Sequence, residues 1–188
     1  MSFNSWIFLA VGDDRQHQGH DGYDDKIASH YSWDSSVARH DQVKLGDLVM
    51  LWDKKNILGL AVLVKIDTST SEKIMFRCPK CRRTSGKKRV NKIPLWRCQK
   101  TNCQFEYTNP IVDTKEVKTY TGYFGNSWFA FSHNVEPQKV RSLQKYLKDQ
   151  NSLRIISGEK LESLMAELGN GKAFEKLEYS SNLVLSSL

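Results

Sequence analysis

The sequence predicts an α+β fold: a curled β-sheet or partial barrel with flanking helices and an inserted four-cysteine zinc ribbon. Three observations predict it. Short apolar runs bounded by Gly, Asn and Asp occupy residues 5–66 and return at 117–132, which is the pattern of strands. Apolar residues at helical spacing begin only after Pro137. All four cysteines fall between residues 78 and 103, in two close pairs.

Residues 5–11 are an apolar run stopped by Gly12, as in a buried strand. Residues 12–25 then turn polar and read as a long surface loop, rich in Asp with His17 and His20. A polar stretch at 30–36 carries two large aromatics, Tyr31 and Trp33. Residues 43–47 form a turn into a strand at 48–52. Residues 53–56 make a hairpin turn, and 57–66 form the returning strand. A Ser/Thr-rich connector leads to the ribbon, followed by strands at 117–124 and 127–132. Pro137 suits a first helical position, and Val140, Leu143 and Leu147 continue a helix to Lys148. Ser157 caps a second helix that Gly169 ends, with Leu161, Leu164, Met165 and Leu168 on one face. A short third helix covers 173–178, and the tail 180–188 reads as the start of a linker or a domain boundary. The expected domains are 1–150, with the ribbon inserted at 73–107, and a C-terminal helical segment at 151–188.

Composition excludes several classes. With 39% hydrophobic and 26% charged residues, the 188-residue chain reads as globular, with one substantial core and room for a small satellite. No apolar run approaches a membrane span, and no basic-then-apolar leader opens the chain, so no membrane partner or signal peptide is expected. Paired thiols suited to metal point to a reducing intracellular compartment.

The ribbon reads Phe76-Arg-Cys78-Pro-Lys-Cys81, then Trp96-Arg-Cys98-Gln-Lys-Thr-Asn-Cys103. Each pair delivers two sulfurs to one side of a Zn²⁺, so Cys78, Cys81, Cys98 and Cys103 are the expected ligands of a structural zinc. Two disulfides or four buried thiols are the alternatives, disfavoured by the regular pairing. The ribbon also holds the charge. Residues 73–103 contain eleven Lys or Arg and no Asp or Glu, which leaves 17 basic against 21 acidic residues elsewhere, a balance of −4. A one-signed patch argues for a polyanion, with Arg82, Arg83, Lys87, Lys88 and Arg89 as the phosphate contacts. A merely solubilising loop is the plainer alternative.

The order of pieces resembles the PUA-like superfamily, and within it the EVE and YTH domains. It consists of the strand Ser5-Trp-Ile-Phe8, an acidic loop, Tyr31-Ser-Trp33-Asp-Ser35-Ser36, Val43-Lys-Leu-Gly46-Asp47 and the Ile57-x-Gly59-x-Ala61-Val62 strand. The stretch from Tyr31 is similar to the YTH segment that supplies a cage wall, with one residue fewer between its aromatics. The resemblance covers residues 5–66 and 117–147. It implies a reader of modified bases, methylated or hydroxymethylated cytosine or methylated adenine, and DNA as partner more than RNA. Similar domains serve as targeting modules in modification-dependent restriction systems, which implies a prokaryotic cytoplasmic setting and a nuclease domain or subunit beyond the C-terminus.

A flipped base needs aromatic walls and a few polar groups for its edge. Trp33, in a polar loop with Ser and Asp around it, is the candidate wall, with Tyr31 beside it and Trp52 or Trp128 completing the cage. Ser32, Asp34 and Ser35 are the candidates for the base edge. Trp6 reads as core and Trp96 as packing on the ribbon. No catalytic role is expected. The rival readings are a metal-dependent nuclease using the acidic and His residues of 13–25, a reader of methylated adenine in RNA, and a protein-interaction module. An HNH-type nuclease fits poorly, because His133 lies thirty residues beyond the last cysteine rather than between the pairs.

Overall fold

The computed structural model describes residues 3–10 and 25–188. Strands β1 (Ser5–Leu9), β2 (His30–Asp34), β3 (Leu48–Trp52), β4 (Ile57–Val62) and β5 (Lys65–Arg77) come first. The short β6 (Gly86–Lys88), β7 (Trp96–Cys98) and β8 (Glu106–Tyr107) precede β9 (Ile111–Tyr123) and β10 (Phe129–Ala130). Helix α1 (Pro137–Ser142), strand β11 (Leu153–Ile156) and helices α2 (Gly158–Glu167) and α3 (Gly171–Ser186) complete an α+β chain dominated by strands. The described residues divide into two compact units, 3–10 with 25–69 and 119–188, and 70–118. Strands β5 and β9 each run from one unit into the other.

The first unit is organised on an open five-stranded sheet in the order β10-β4-β3-β1-β11, with β1 parallel to β3 and antiparallel to β11. Side chains alternate across a strand, and here both faces are covered. Ile7, Leu48, Met50 and Val62 meet Val140, Leu161, Leu164, Met165, Phe174 and Leu177 of the helices on one face. Trp6, Phe8, Val49, Leu51 and Ala61 meet Tyr31, Trp33 and Phe124 on the other. This is why β3 is buried at all five positions and why the sequence shows continuous apolar runs instead of alternation.

The Gly46-Asp47 turn fastens this sheet. Gly46 has φ +82°, and a β-carbon there would meet the Leu185 side chain at 2.8 Å. The buried Asp47 carboxylate accepts from the Asn4 N–H at 2.9 Å, the Trp6 indole N–H at 2.8 Å and the Lys44 N–H at 2.9 Å. Burial pushes this carboxyl up while the three donors pull it down, the net effect being upward. Asp47→Ala strands three donors. It should cost on the order of 3 kcal/mol or more, read as a lower urea midpoint at unchanged slope.

Several expectations need correction. The polar stretch at 30–36 is not a loop, because β2 occupies residues 30–34 and pairs antiparallel with β9 from His30↔Tyr123 to Asp34↔Thr119. The Ser/Thr-rich connector lies inside the thirteen-residue β5. Helix α1 starts at Pro137 as expected but stops at Ser142. The following backbone turns to β11 instead: the Lys145 N–H donates to the Ile155 carbonyl, and the Ser157 N–H to the Leu143 carbonyl. Ser157 does cap α2, its hydroxyl accepting from the Lys160 N–H, and Gly169 at φ +72° ends it. The third helix is sixteen residues long and absorbs the expected linker. Within it the Ser181 hydroxyl is buried and donates to the Gly46 carbonyl. Residues 151–188 belong to the first unit, through β11, α2 and α3.

Candidate metal centre and nucleic-acid interface

The second unit is built from two knuckles of the same design. In each pair, the residue after the second cysteine takes the left-handed conformation, Arg82 at φ 61° and Gln104 at φ 45°. The first cysteine's N–H donates to the carbonyl two residues beyond the second: Cys78 to Arg83, and Cys98 to Phe105, both at 2.9 Å. The same two residues, Arg83 and Phe105, turn their N–H groups onto the sulfurs of Cys81 and Cys103. The wider second pair keeps this geometry because residues 99–102 take up the extra length.

The four sulfurs lie within 4.8 Å of one another, the one such cluster of metal-ligating side chains among the described residues. The Cys78–Cys103 and Cys81–Cys98 separations are 3.8 and 3.7 Å. A tetrahedral ion bound at about 2.3 Å to each sulfur sets edges of about 3.8 Å. A disulfide would need about 2.05 Å, so these separations fit a shared cation and not two cross-links. The Ser85 hydroxyl adds a 3.0 Å contact to Cys98 of the kind that orients a ligand. Electrostatics point the same way. The Arg83 N–H holds the Cys81 thiol down at about 7. Cys103 is pulled down by the Phe105 N–H, but burial and the other three cysteines push it up to about 11. A cation held among these thiols would favour their ionised form.

Aromatic rings back the cluster. Trp96 is buried on the ribbon as expected, 5.2 Å from Phe76 and stacked on Tyr107 at 6.3 Å. The Tyr107 hydroxyl is buried without a hydrogen-bond partner, and burial and the four cysteines push it up to about 12.

Arg82, Arg83, Lys87 and Lys88 are exposed, as phosphate contacts require. Arg77, Arg82, Arg83, Thr84 and Ser85 line a surface hollow of about 460 Å³ beside Cys81. Arg89 differs from expectation. Its guanidinium bonds both Glu106 carboxylate oxygens, at 2.6 and 3.0 Å, and the Pro94 carbonyl. It therefore serves inside the fold and is no free grip for a backbone.

The first unit places the aromatic candidates differently from the sequence reading. Trp33 is 1% exposed, with Tyr120 stacked face to face on it at 5.4 Å and 5°. Its indole N–H donates to the His40 carbonyl. Gly122 makes room for the ring, since a β-carbon there would lie 3.1 Å from Trp33 and 2.7 Å from Leu63. Tyr31 is also in this core, its hydroxyl donating to the Leu9 carbonyl. Trp52 is buried in the other cluster, across the five-stranded sheet. Trp33 and Trp52 therefore cannot form two walls of one cage, because the alternation of β3 sends Trp52 to the helical face. Trp128 remains on the Trp33 side, partly buried and stacked on Phe124 at 5.8 Å. Asp34 is buried and accepts from the Ser36 N–H. The Ser32 hydroxyl meets that of Thr121, and Ser35 is half-buried.

Of the acidic loop, residues 13–24 lie outside the described residues. Asp25 accepts from the Ser32 N–H at 2.7 Å. His133 is exposed, contacting the Asn170 amide at 3.3 Å and the Phe131 ring at 5.5 Å. Among the described residues, no helix is long and apolar enough to cross a membrane. Set against protein-family models, curated proteins and solved structures, the chain matches none.

Proposed function

We propose that this chain is a nucleic-acid-binding module, a DNA reader whose zinc-knitted second unit grips the phosphate backbone. One observation carries the reading. Eleven Lys or Arg stand on the four-cysteine segment 73–103 without an acid among them, while the rest of the chain is net negative. Four of them, Arg82, Arg83, Lys87 and Lys88, are exposed on short turns and strands that the sulfur cluster fixes. Rigid cations lose less freedom on meeting phosphates than cations on a loose tail. Four thiolates with no open position are the donor set of a structural zinc, so the ion shapes the surface and takes no part in chemistry.

Recognition of a modified base is the finer reading. It is supported by the resemblance of residues 5–66 and 117–147 to base-reading domains, and targeting of a restriction nuclease is the setting it implies. In this fold it requires Tyr120 to leave the face of Trp33, with Trp128 the remaining candidate for a second wall. Trp33→Ala would by itself cost about 3–5 kcal/mol of stability, because the ring is core, so the ligand is the better variable.

A panel of matched DNA and RNA oligonucleotides, with and without modified cytosine or adenine, tests both levels. Stacking on an aromatic is worth roughly 1–3 kcal/mol, so the correct modified DNA should bind about 5- to 150-fold tighter than its plain counterpart. Equal affinity across the panel would remove the modified base and leave backbone binding. Absence of binding to every member would remove the nucleic-acid reading itself.

A further inference from the structure

The loop between β6 and β7 presents two apolar side chains almost wholly to water. Val90 and Ile93 are each 92% exposed. Single exposed aliphatics are ordinary on protein surfaces. These two share the tip of one pinned loop. Pairing of Lys88 with Trp96 and an Arg89 N–H bond to the Leu95 carbonyl at 2.6 Å close its base. The Arg89 side chain then ties the loop to β8 through Glu106 and caps the Pro94 carbonyl from within. The Arg89 side chain is half-buried in that ion pair, 17% exposed, so this cation is largely withdrawn from the surface. Lys87, Lys88 and Lys92 flank the tip, all exposed.

Resting on the nucleic-acid reading above, we propose that the 90–94 loop is a wedge that enters a base step of duplex DNA. Val90 and Ile93 press into the opened stack while Lys87, Lys88 and Lys92 hold the neighbouring phosphates. Branching at Cβ keeps both side chains stiff, and the Arg89–Glu106 pin keeps the loop from folding back under load. Apolar wedges of this size part base steps and bend the duplex, with cations neutralising the backbone on either side. The same charge would also suit an anionic membrane, but interfacial binding needs a broad apolar face with Trp, Phe or Leu. Val90 and Ile93, with Leu95 38% exposed at the base of the loop, offer too little of that surface.

The test uses the full zinc-loaded chain and a duplex carrying a fluorescent adenine analogue, quenched when stacked, at successive positions. Wild type should raise the emission several-fold at one position. Val90→Ser with Ile93→Ser should return it close to the free-duplex level. The dependence of affinity on salt should stay as in wild type, since the lysines are intact and the altered residues are exposed. Wild type that binds duplex with steep salt dependence yet leaves every position quenched would overturn the wedge and spare the binding reading. A double variant that unstacks DNA as well as wild type would do the same. No binding to duplex at all would remove both. Loss of phosphatidylserine-vesicle binding in the double variant, with unstacking unchanged, would make the loop a membrane contact and the wedge wrong.

Discussion

Replacing Cys98 with alanine should unfold the second unit and leave the first folded. The core of the second unit consists of Cys78, Trp96, Cys98 and Tyr107, with Phe76, Cys81 and Cys103 partly buried around it. Two of its four buried side chains are therefore members of the candidate metal site. So little apolar area cannot order β6, β7 and β8 without the ion, whose binding is worth about 10–16 kcal/mol in comparable zinc peptides. The first unit has its own two clusters and no side chain in the site. Wild type prepared without chelator should carry one zinc per chain. Cys98→Ala should carry far less and be cut by protease within residues 70–118. Iron in place of zinc, or a variant as protease-resistant as wild type, would contradict this account of the cluster.

Charge reversal at four positions, Arg82→Glu, Arg83→Glu, Lys87→Glu and Lys88→Glu, should lower affinity for DNA by roughly 100-fold or more at physiological salt. The loss should be the same for modified and plain oligonucleotides, because phosphate contacts position a protein without reading the base. All four side chains are exposed and none belongs to the buried cluster, so the fold and the zinc content should survive. Arg89 is left out deliberately. Reversing it would set two carboxylates face to face at Glu106 and damage the loop, confusing a binding effect with a folding one.

How much of this was legible in the sequence depended on how local each signal is. The cysteine cluster needs only two short turns, so its spacing and one-signed charge located the site before any fold was known. The buried strands β1, β3 and β4 were legible because both their faces are covered and their apolar runs are unbroken. β5 was not: nearly all its side chains from Lys65 to Glu72 are exposed, so its Ser/Thr letters carry no hydrophobic alternation. β2 hid behind polar letters, although Tyr31 and Trp33 two apart were the signal of a strand with one buried face. That misreading also made Trp33 look like a loop aromatic available to a ligand. β11 is four residues long and is recognisable only from its partner β1, which no local pattern reveals. The helical tail depended on a contact 135 residues away, Ser181 on Gly46.

If the basic second unit grips nucleic acid through its phosphates, the affinity of wild type for a plain DNA duplex must fall steeply across a salt series. With Arg82, Arg83, Lys87 and Lys88 as contacts, the logarithm of affinity should fall against the logarithm of salt with a slope of roughly −3 to −4. The slope should shrink to about −1 in the fourfold charge-reversal variant, which keeps Lys92. A flat slope in wild type, or no measurable affinity at low salt, would contradict phosphate binding by this unit.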